Sequence, residues 1–207
     1  MPRYPTAQPF LPDKRNLETL AEAVQVCRGC DLWEQASQGV FGAGSRKSDV
    51  MLVGEQPGDQ EDKQGAPFVG PAGRLLDEAL AAAGIDRSRA YVTNAVKHFK
   101  WKPRGKRRIH DKPSWSQIAA CRPWLLAELD AVTPRAVVLM GATAAQSLLG
   151  REVRVTRDRG RYTQDGLAPL AEVVVVTIHP SAILRGEPDE REAELAAFIE
   201  DLRLAAA

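Results

Sequence analysis

The stretch that most constrains this chain is Val50-Met51-Leu52-Val53, an apolar run opened by Asp49 and broken abruptly by Gly54-Glu55-Gln56-Pro57-Gly58. Short apolar runs bounded by Gly and Pro are how buried parallel strands look in a sequence. Three more such runs follow: Tyr91-Val92-Thr93-Asn94, then Ala136 to Met140 ended by Gly141, then Val173 to Ile178 ended by His179-Pro180-Ser181. Helical stretches separate them. Asn16 can cap a helix from Leu17 to about Val26. A second runs from Pro71 to Ala83, with Leu75, Leu76, Ala79 and Leu80 inward and Gly84 as its stop. Ser114 can cap a third from Trp115 to Leu129, in which Pro123 predicts a kink or a split. Ala142 to Leu149 is short, and an acid-rich helix from about Asp189 to Leu204 closes the chain. Val153 to Thr163 reads as a surface hairpin around Asp158-Arg159-Gly160. Strands alternating with helices give an α/β fold, a three-layer α/β/α sandwich with a central four-stranded parallel sheet.

The length of 207 residues suits one domain over 14–207, preceded by a tail over 1–13 that holds Pro2, Pro5, Pro9 and Pro12. A formal net charge of +1 excludes a protein that coats nucleic acid through overall charge, but not a local basic patch. With no signal-type apolar region and no run long enough to span a bilayer, the expectation is a cytoplasmic monomer without a membrane partner.

In open α/β sheets, ligands sit outside the carboxyl ends of the strands. Those ends deliver Glu55-Gln56, Asn94, Gly141 and His179 to one rim. Each alone has a bland reading: a solvated Glu, a turn Asn, a structural His. Together they form a constellation of acid, amide and imidazole on a single edge, which favours a functional site. Asn94 offers a donor and an acceptor side by side, suited to a base edge.

Two further features are unusual. Cys27, Cys30 and Cys121 are an odd count, so a disulfide framework is disfavoured and metal or cluster ligation is the reading to test. A redox role for Cys27-Arg28-Gly29-Cys30 would want a strand before it, where a helix is expected. The segment from Lys97 to Lys112 carries eight basic residues, among them Lys106, Arg107 and Arg108, against the single acid Asp111. With Pro103 and Gly105 it reads as a flexible loop, and its charge implies an anionic partner such as a phosphodiester backbone.

The motifs GEQPGDQED after the first strand, TNAVKH after the second and HPSAILR after the fourth resemble the uracil-DNA glycosylase superfamily. They are most similar to its family-four branch, which carries an iron–sulfur cluster. The stretch Lys106 to His110, KRRIH, is similar to the UdgX group within that branch, whose members become covalently attached to uracil-containing DNA. Two departures from the ordinary family-four pattern support that likeness: His98 stands where a cysteine is expected, and the basic segment is an insertion.

The resemblance implies a 4Fe–4S cluster held by Cys27, Cys30, His98 and Cys121, although three thiolates and an imidazole suit zinc equally well on chemistry alone. It implies Phe68 stacked on an extruded base, Asn94 and Gln56 contacting it, and His179 donating to its carbonyl. Ser181 and Arg185, with Ile183 and Leu184, would contact the strand or fill the vacated stack. Lys106, Arg107 and Arg108 would bind the DNA backbone. Glu55 would support a cationic sugar and orient His110, which would capture C1′ covalently in a single turnover. The partner is uracil-containing DNA, single-stranded in the first instance. The rival expectations are a hydrolytic glycosylase with turnover and a non-catalytic uracil-DNA binding module. A nucleotide-binding Rossmann-type enzyme lacks its GxGxxG motif here.

Overall fold

A computed structural model describes residues 6–161 and 171–206. In chain order, α1 (Leu17–Val24) precedes β1 (Val50–Gly54), α2 (Asp59–Gln64), α3 (Pro71–Ala83) and β2 (Ala90–Asn94). A hairpin, β3 (Trp101–Arg104) and β4 (Arg107–His110), then leads into α4 (Trp115–Val132). The second half runs β5 (Ala136–Met140), α5 (Ala142–Leu149), α6 (Val155–Asp158), β6 (Gly160–Arg161), β7 (Val173–Thr177), α7 (Pro180–Arg185) and α8 (Pro188–Ala206).

The main sheet has the order β2-β1-β5-β7-β6. Its first four members are the expected parallel strands, and β6 adds a short antiparallel edge against β7. Alternation along β1 sorts its side chains between two layers. Val50 and Leu52 pack with Leu76 and Leu80 of α3 and with Phe198 and Leu202 of α8. Met51 and Val53 pack with Leu125 and Leu129 of α4 and with Ala144, Ala145 and Leu148 of α5. The helices thus cover both faces, giving the three-layer α/β/α sandwich.

Three expectations are corrected. The surface hairpin around Asp158 is instead the single turn α6 followed by β6; the Asp158 carboxylate accepts from the Arg154 N–H at 2.8 Å and closes that turn. Tyr162 and Thr163 lie outside the described residues. Pro123 neither splits nor ends α4. The carbonyl it leaves without a helical partner belongs to Ala119 on the exposed face, where water can satisfy it. One residue along, the Ala120 carbonyl accepts from the Ala7 N–H at 2.8 Å, so the chain start is strapped across the helix. Finally, the segment expected as a flexible loop is the β3–β4 ribbon, turned at Gly105, which adopts φ +59. A two-residue turn with a left-handed glycine lets the strands stay paired, with Trp101 opposite His110.

Candidate active site

Parallel pairing sets Gly54 beside Asn94 across β1 and β2, and His179 follows β7 directly as the N-cap of α7. Three expected site residues converge on one point. A Cβ on Gly54 would stand 2.5 Å from Asn94 Oδ1, 2.7 Å from Phe68 Cζ and 3.3 Å from His179 Nε2. The missing side chain is therefore the floor of a niche walled by an amide, a phenyl ring and an imidazole. Phe68 and His179 lie nearly parallel, with ring centroids 6.0 Å apart and planes inclined by 23°. Phe68 has a left-handed backbone, φ 57, which costs of order 1–3 kcal/mol for such a residue and is typical of sites where a side chain must be aimed.

The tautomer of His179 follows from its neighbours. The Ser181 N–H donates to Nδ1 at 3.1 Å, and the Ser181 hydroxyl lies 2.8 Å from the same nitrogen. Nδ1 is thereby an acceptor, and the proton of the neutral ring sits on Nε2, facing the niche. Burial pushes His179 down to about 4, with Glu55 opposing and Arg185 and His110 reinforcing the shift. Near neutral pH this is an uncharged N–H donor. Ser181, expected as a substrate contact, engages the His179 ring through both its N–H and its hydroxyl.

Glu55, the first residue after β1, is held between two partners. His110 Nε2 on the ribbon stands 3.2 Å from Glu55 Oε1, and the Thr143 hydroxyl donates to Oε2. Burial by itself would raise its pKa, yet the bonds from His110 and Thr143 outweigh it and hold the carboxyl below its ordinary range. Glu55 is an anion at the niche mouth. Thr143 escaped the sequence reading because its only signal is a place two residues after Gly141, in the first turn of α5 at a different strand end.

The ribbon that carries His110 is fastened at two places. Gln56 donates from Nε2 to the carbonyls of Lys100 and Asp111 and accepts the Lys100 N–H at Oε1, all at 3.0–3.1 Å. Its amide is directed to the ribbon root, away from the niche where base contact was expected. Arg108 was expected on a DNA backbone, but its guanidinium spans Asp59 and Asp62 of α2, at 2.6 Å from each, and lies over the rings of Phe99 and Trp101. Asp62 is buried and also accepts from the Ser37 N–H and hydroxyl. Lys106 and Arg107 remain exposed at the turn, and Arg107 pairs across it with Arg104. Like charges set opposite each other in a hairpin repel unless an anion lies across them. Beyond His179, Ile183 is buried whereas Leu184 and Arg185 are exposed.

Away from the rim, Cys27, Cys30 and Cys121 share one buried cluster with α1, Trp124 and Ala7. Cys27 Sγ accepts the Trp124 indole N–H, and Cys121 Sγ accepts the Lys97 N–H, each at 3.2 Å. Burial pushes the Cys30 thiol up to about 11 and the Cys121 thiol up to about 12, and the nearby Cys27 raises both further. Without a cation beside them the Cys30 and Cys121 thiols stay protonated. Burial pushes His98 down to about 4, leaving a neutral imidazole. Among the described residues no three His, Cys, Asp or Glu side chains close tightly enough to hold a single metal ion. Sulfurs already receiving N–H bonds suit a thiolate donor set, while the charged neighbour of the His98 ring is Asp62, which opposes the effect of burial.

A family profile described as "Uracil DNA glycosylase superfamily" matches residues 41–203. A type-4 uracil-DNA glycosylase of Pyrobaculum aerophilum is 36% identical over 174 residues, covering 82% of this chain and 85% of that protein. A type-4 uracil-DNA glycosylase of Thermotoga maritima is 37% identical over 175 residues, covering 84% of this chain and 86% of that protein. No helix among the described residues is long and apolar enough to cross a membrane.

Two measurements check this geometry. Arg108→Ala unfastens the ribbon from α2, so trypsin cuts after Lys106 or Arg107 at least about tenfold faster than in the parent, following the rise in local opening. In NMR titrations the His179 ring, assigned with His179→Gln, shows no protonation between pH 8 and 5 and titrates near pH 4. A midpoint near the ordinary histidine value would contradict the burial-driven neutral state assigned above.

Proposed function

The chain belongs to the uracil-DNA glycosylase superfamily, and on that premise we propose that it removes uracil from DNA by breaking the bond between N1 of the base and C1′ of deoxyribose. The supporting observation is the niche on Gly54, where Asn94, Phe68 and the Nε2 side of His179 meet. A uracil must first leave the stack, at a cost of a few kcal/mol. Its ring then stacks on Phe68, and its Watson–Crick edge meets the donor and acceptor of Asn94. As the glycosidic bond breaks, negative charge moves onto the base, where the Nε2–H of His179 donates to the carbonyl that gains it. Positive charge grows on the sugar, beside the ionised Glu55. Leu184 is the exposed apolar side chain suited to fill the vacated stack. Arg104, Lys106 and Arg107 supply the charge for the phosphodiester backbone, a sequence-independent, salt-sensitive contribution.

The reading closest to the type-4 relatives is hydrolysis: Glu55 orients a water that takes the place of uracil at C1′, and the protein turns over. A second reading is favoured by one contact, that of His110 Nε2 with Glu55 Oε1. In it a neutral nitrogen of His110 forms the new bond to C1′, uracil leaves with the electrons of the old one, and Glu55 takes the ring proton. A positioned nucleophile reaches effective molarities of about 10⁵ M or more, enough to outrun water. The alkylated imidazole is then a poor leaving group, so the adduct persists, as in the UdgX group.

We further propose that Cys27, Cys30, His98 and Cys121 hold a 4Fe–4S cluster. Three thiolates and an imidazole from these residues would hold such a cluster, whose role there would be structural. Its contribution is to tie α1, α4 and the segment after β2 together. The protein's own side chains do the chemistry at the niche.

Two experiments test these proposals. With uracil-containing single-stranded DNA, hydrolysis yields free uracil in excess of protein and no mobility change on a denaturing gel. Capture yields one uracil per chain and a band that survives heat and detergent, and His110→Gly then converts the protein to turnover. Neither uracil nor a shifted band would overturn both readings. Metal analysis of the purified protein is expected to find about four irons per chain with thiolate-to-iron visible absorption; stoichiometric zinc in a colourless protein would overturn the cluster.

A further inference from the structure

Lys97 is a fully buried cation that no part of the reaction above employs. Its ammonium has three hydrogens and three acceptors: Thr93 Oγ1 at 2.7 Å, the Asn94 carbonyl at 2.7 Å, and Glu128 Oε2. Glu128, on α4 and equally buried, has its other oxygen filled by the Gly42 N–H, the Tyr91 hydroxyl and the Thr93 hydroxyl, at 2.9–3.0 Å. A buried ion pair is a poor way to gain stability. Desolvation offsets most of its attraction, and apolar residues of similar volume hold elements together as well or better. Some other constraint accounts for the charge at this position.

That constraint lies at the end of β2. On the outer side of this edge strand, Val92 exchanges both of its backbone hydrogen bonds with Ala43, an isolated bridge. Strand alternation turns the peptide groups of Asn94, two residues on, the same way, past the end of that bridge. The Asn94 carbonyl therefore faces away from the sheet with no strand to meet it, and Lys97 Nζ is the donor that reaches it. The same residue's N–H donates to Cys121 Sγ, and its carbonyl accepts from the Val40 N–H at 2.8 Å. Lys97 is thus pinned at both its backbone groups while its side chain holds the peptide of Asn94.

We propose that Lys97, charge-paired with Glu128, is a positioning residue for base recognition: it fixes the Asn94 peptide and through it the direction of the Asn94 carboxamide in the niche. The proposal rests on the reading of Asn94 as the group that meets the uracil edge. The tolerance is small, because Asn94 Oδ1 already lies 2.5 Å from where a Gly54 side chain would begin. A peptide rotation at Asn94 swings the amide into Phe68 or out of the niche.

Two paired variants separate positioning from packing. Lys97→Met with Glu128→Leu removes both charges and leaves no donor for the Asn94 carbonyl. Lys97→Gln with Glu128→Gln removes the charges but keeps a donor of similar reach. Under the proposal the Met/Leu pair melts below the parent, because the Gly42 N–H and the Tyr91 and Thr93 hydroxyls lose their acceptor, yet it folds and binds a strand carrying an abasic analogue as the parent does. Its single-turnover rate of uracil excision nevertheless falls about tenfold or more, as misplacement of a contact group does, and the Gln/Gln pair recovers most of that loss. A folded Met/Leu pair that excises uracil at the parent rate overturns the proposal, as does a Gln/Gln pair that is no better than it. Should neither pair fold, the parent decides: the Asn94 side-chain amide must give one sharp, slowly exchanging pair of NMR signals, and motionally averaged signals overturn the proposal. A parent that releases no uracil sinks the functional reading itself, whereas an active parent beside a Met/Leu pair of equal rate sinks the Lys97 proposal alone.

Discussion

Parallel pairing about β1 is the constraint on which the rest of the molecule depends. Because β2 and β5 both run alongside β1 in register, the strand ends stop at a common level: Gly54 pairs with Asn94, and Gly141 follows one residue beyond the β5 end that pairs with Thr177. The apolar layers on either side hold that level: Leu76, Leu80 and Phe198 on one face, Leu125 and Leu129 on the other. A sheet buried on both faces has little freedom to slide, so the rim is rigid, as small tolerances in the niche demand.

Electrostatics on the rim divide between two kinds of group. His179 is kept neutral and its proton is directed to Nε2 by Ser181, so it can stabilise developing charge without carrying charge itself. Glu55 is kept ionised although half-buried, through His110 and Thr143. An uncharged N–H donor and a fixed anion therefore stand together on the strand-end rim, each with its protonation state set by protein neighbours.

Much of this architecture was legible in the sequence. The four parallel strands are continuous apolar runs, and α3 was bounded correctly because Pro71 and Gly84 are local start and stop signals, Gly84 taking a left-handed φ of 78. The rim residues were legible because they follow those runs directly. What escaped was long-range. The ribbon has no apolar alternation, and it is ordered by Arg108 reaching carboxylates 46 and 49 residues away. Gln56 sits where a ligand contact is expected, yet its partners are carbonyls 44 and 55 residues along the chain. Thr143 meets Glu55 across 88 residues. No window of local sequence encodes such pairings; the sheet brings them together.

The root of the ribbon has a wider consequence. The Asp111 N–H donates to the Lys100 carbonyl at 2.9 Å, and Gln56 clasps both residues, so the chain enters and leaves the ribbon at one closed seam. Everything from Trp101 to His110 lies beyond that seam and is tied back to the body through the Trp101 indole, Arg108 and His110. A hairpin closed at its root and tied along its length is a braced arm, so the place of His110 beside Glu55 is set by contacts made elsewhere on the ribbon.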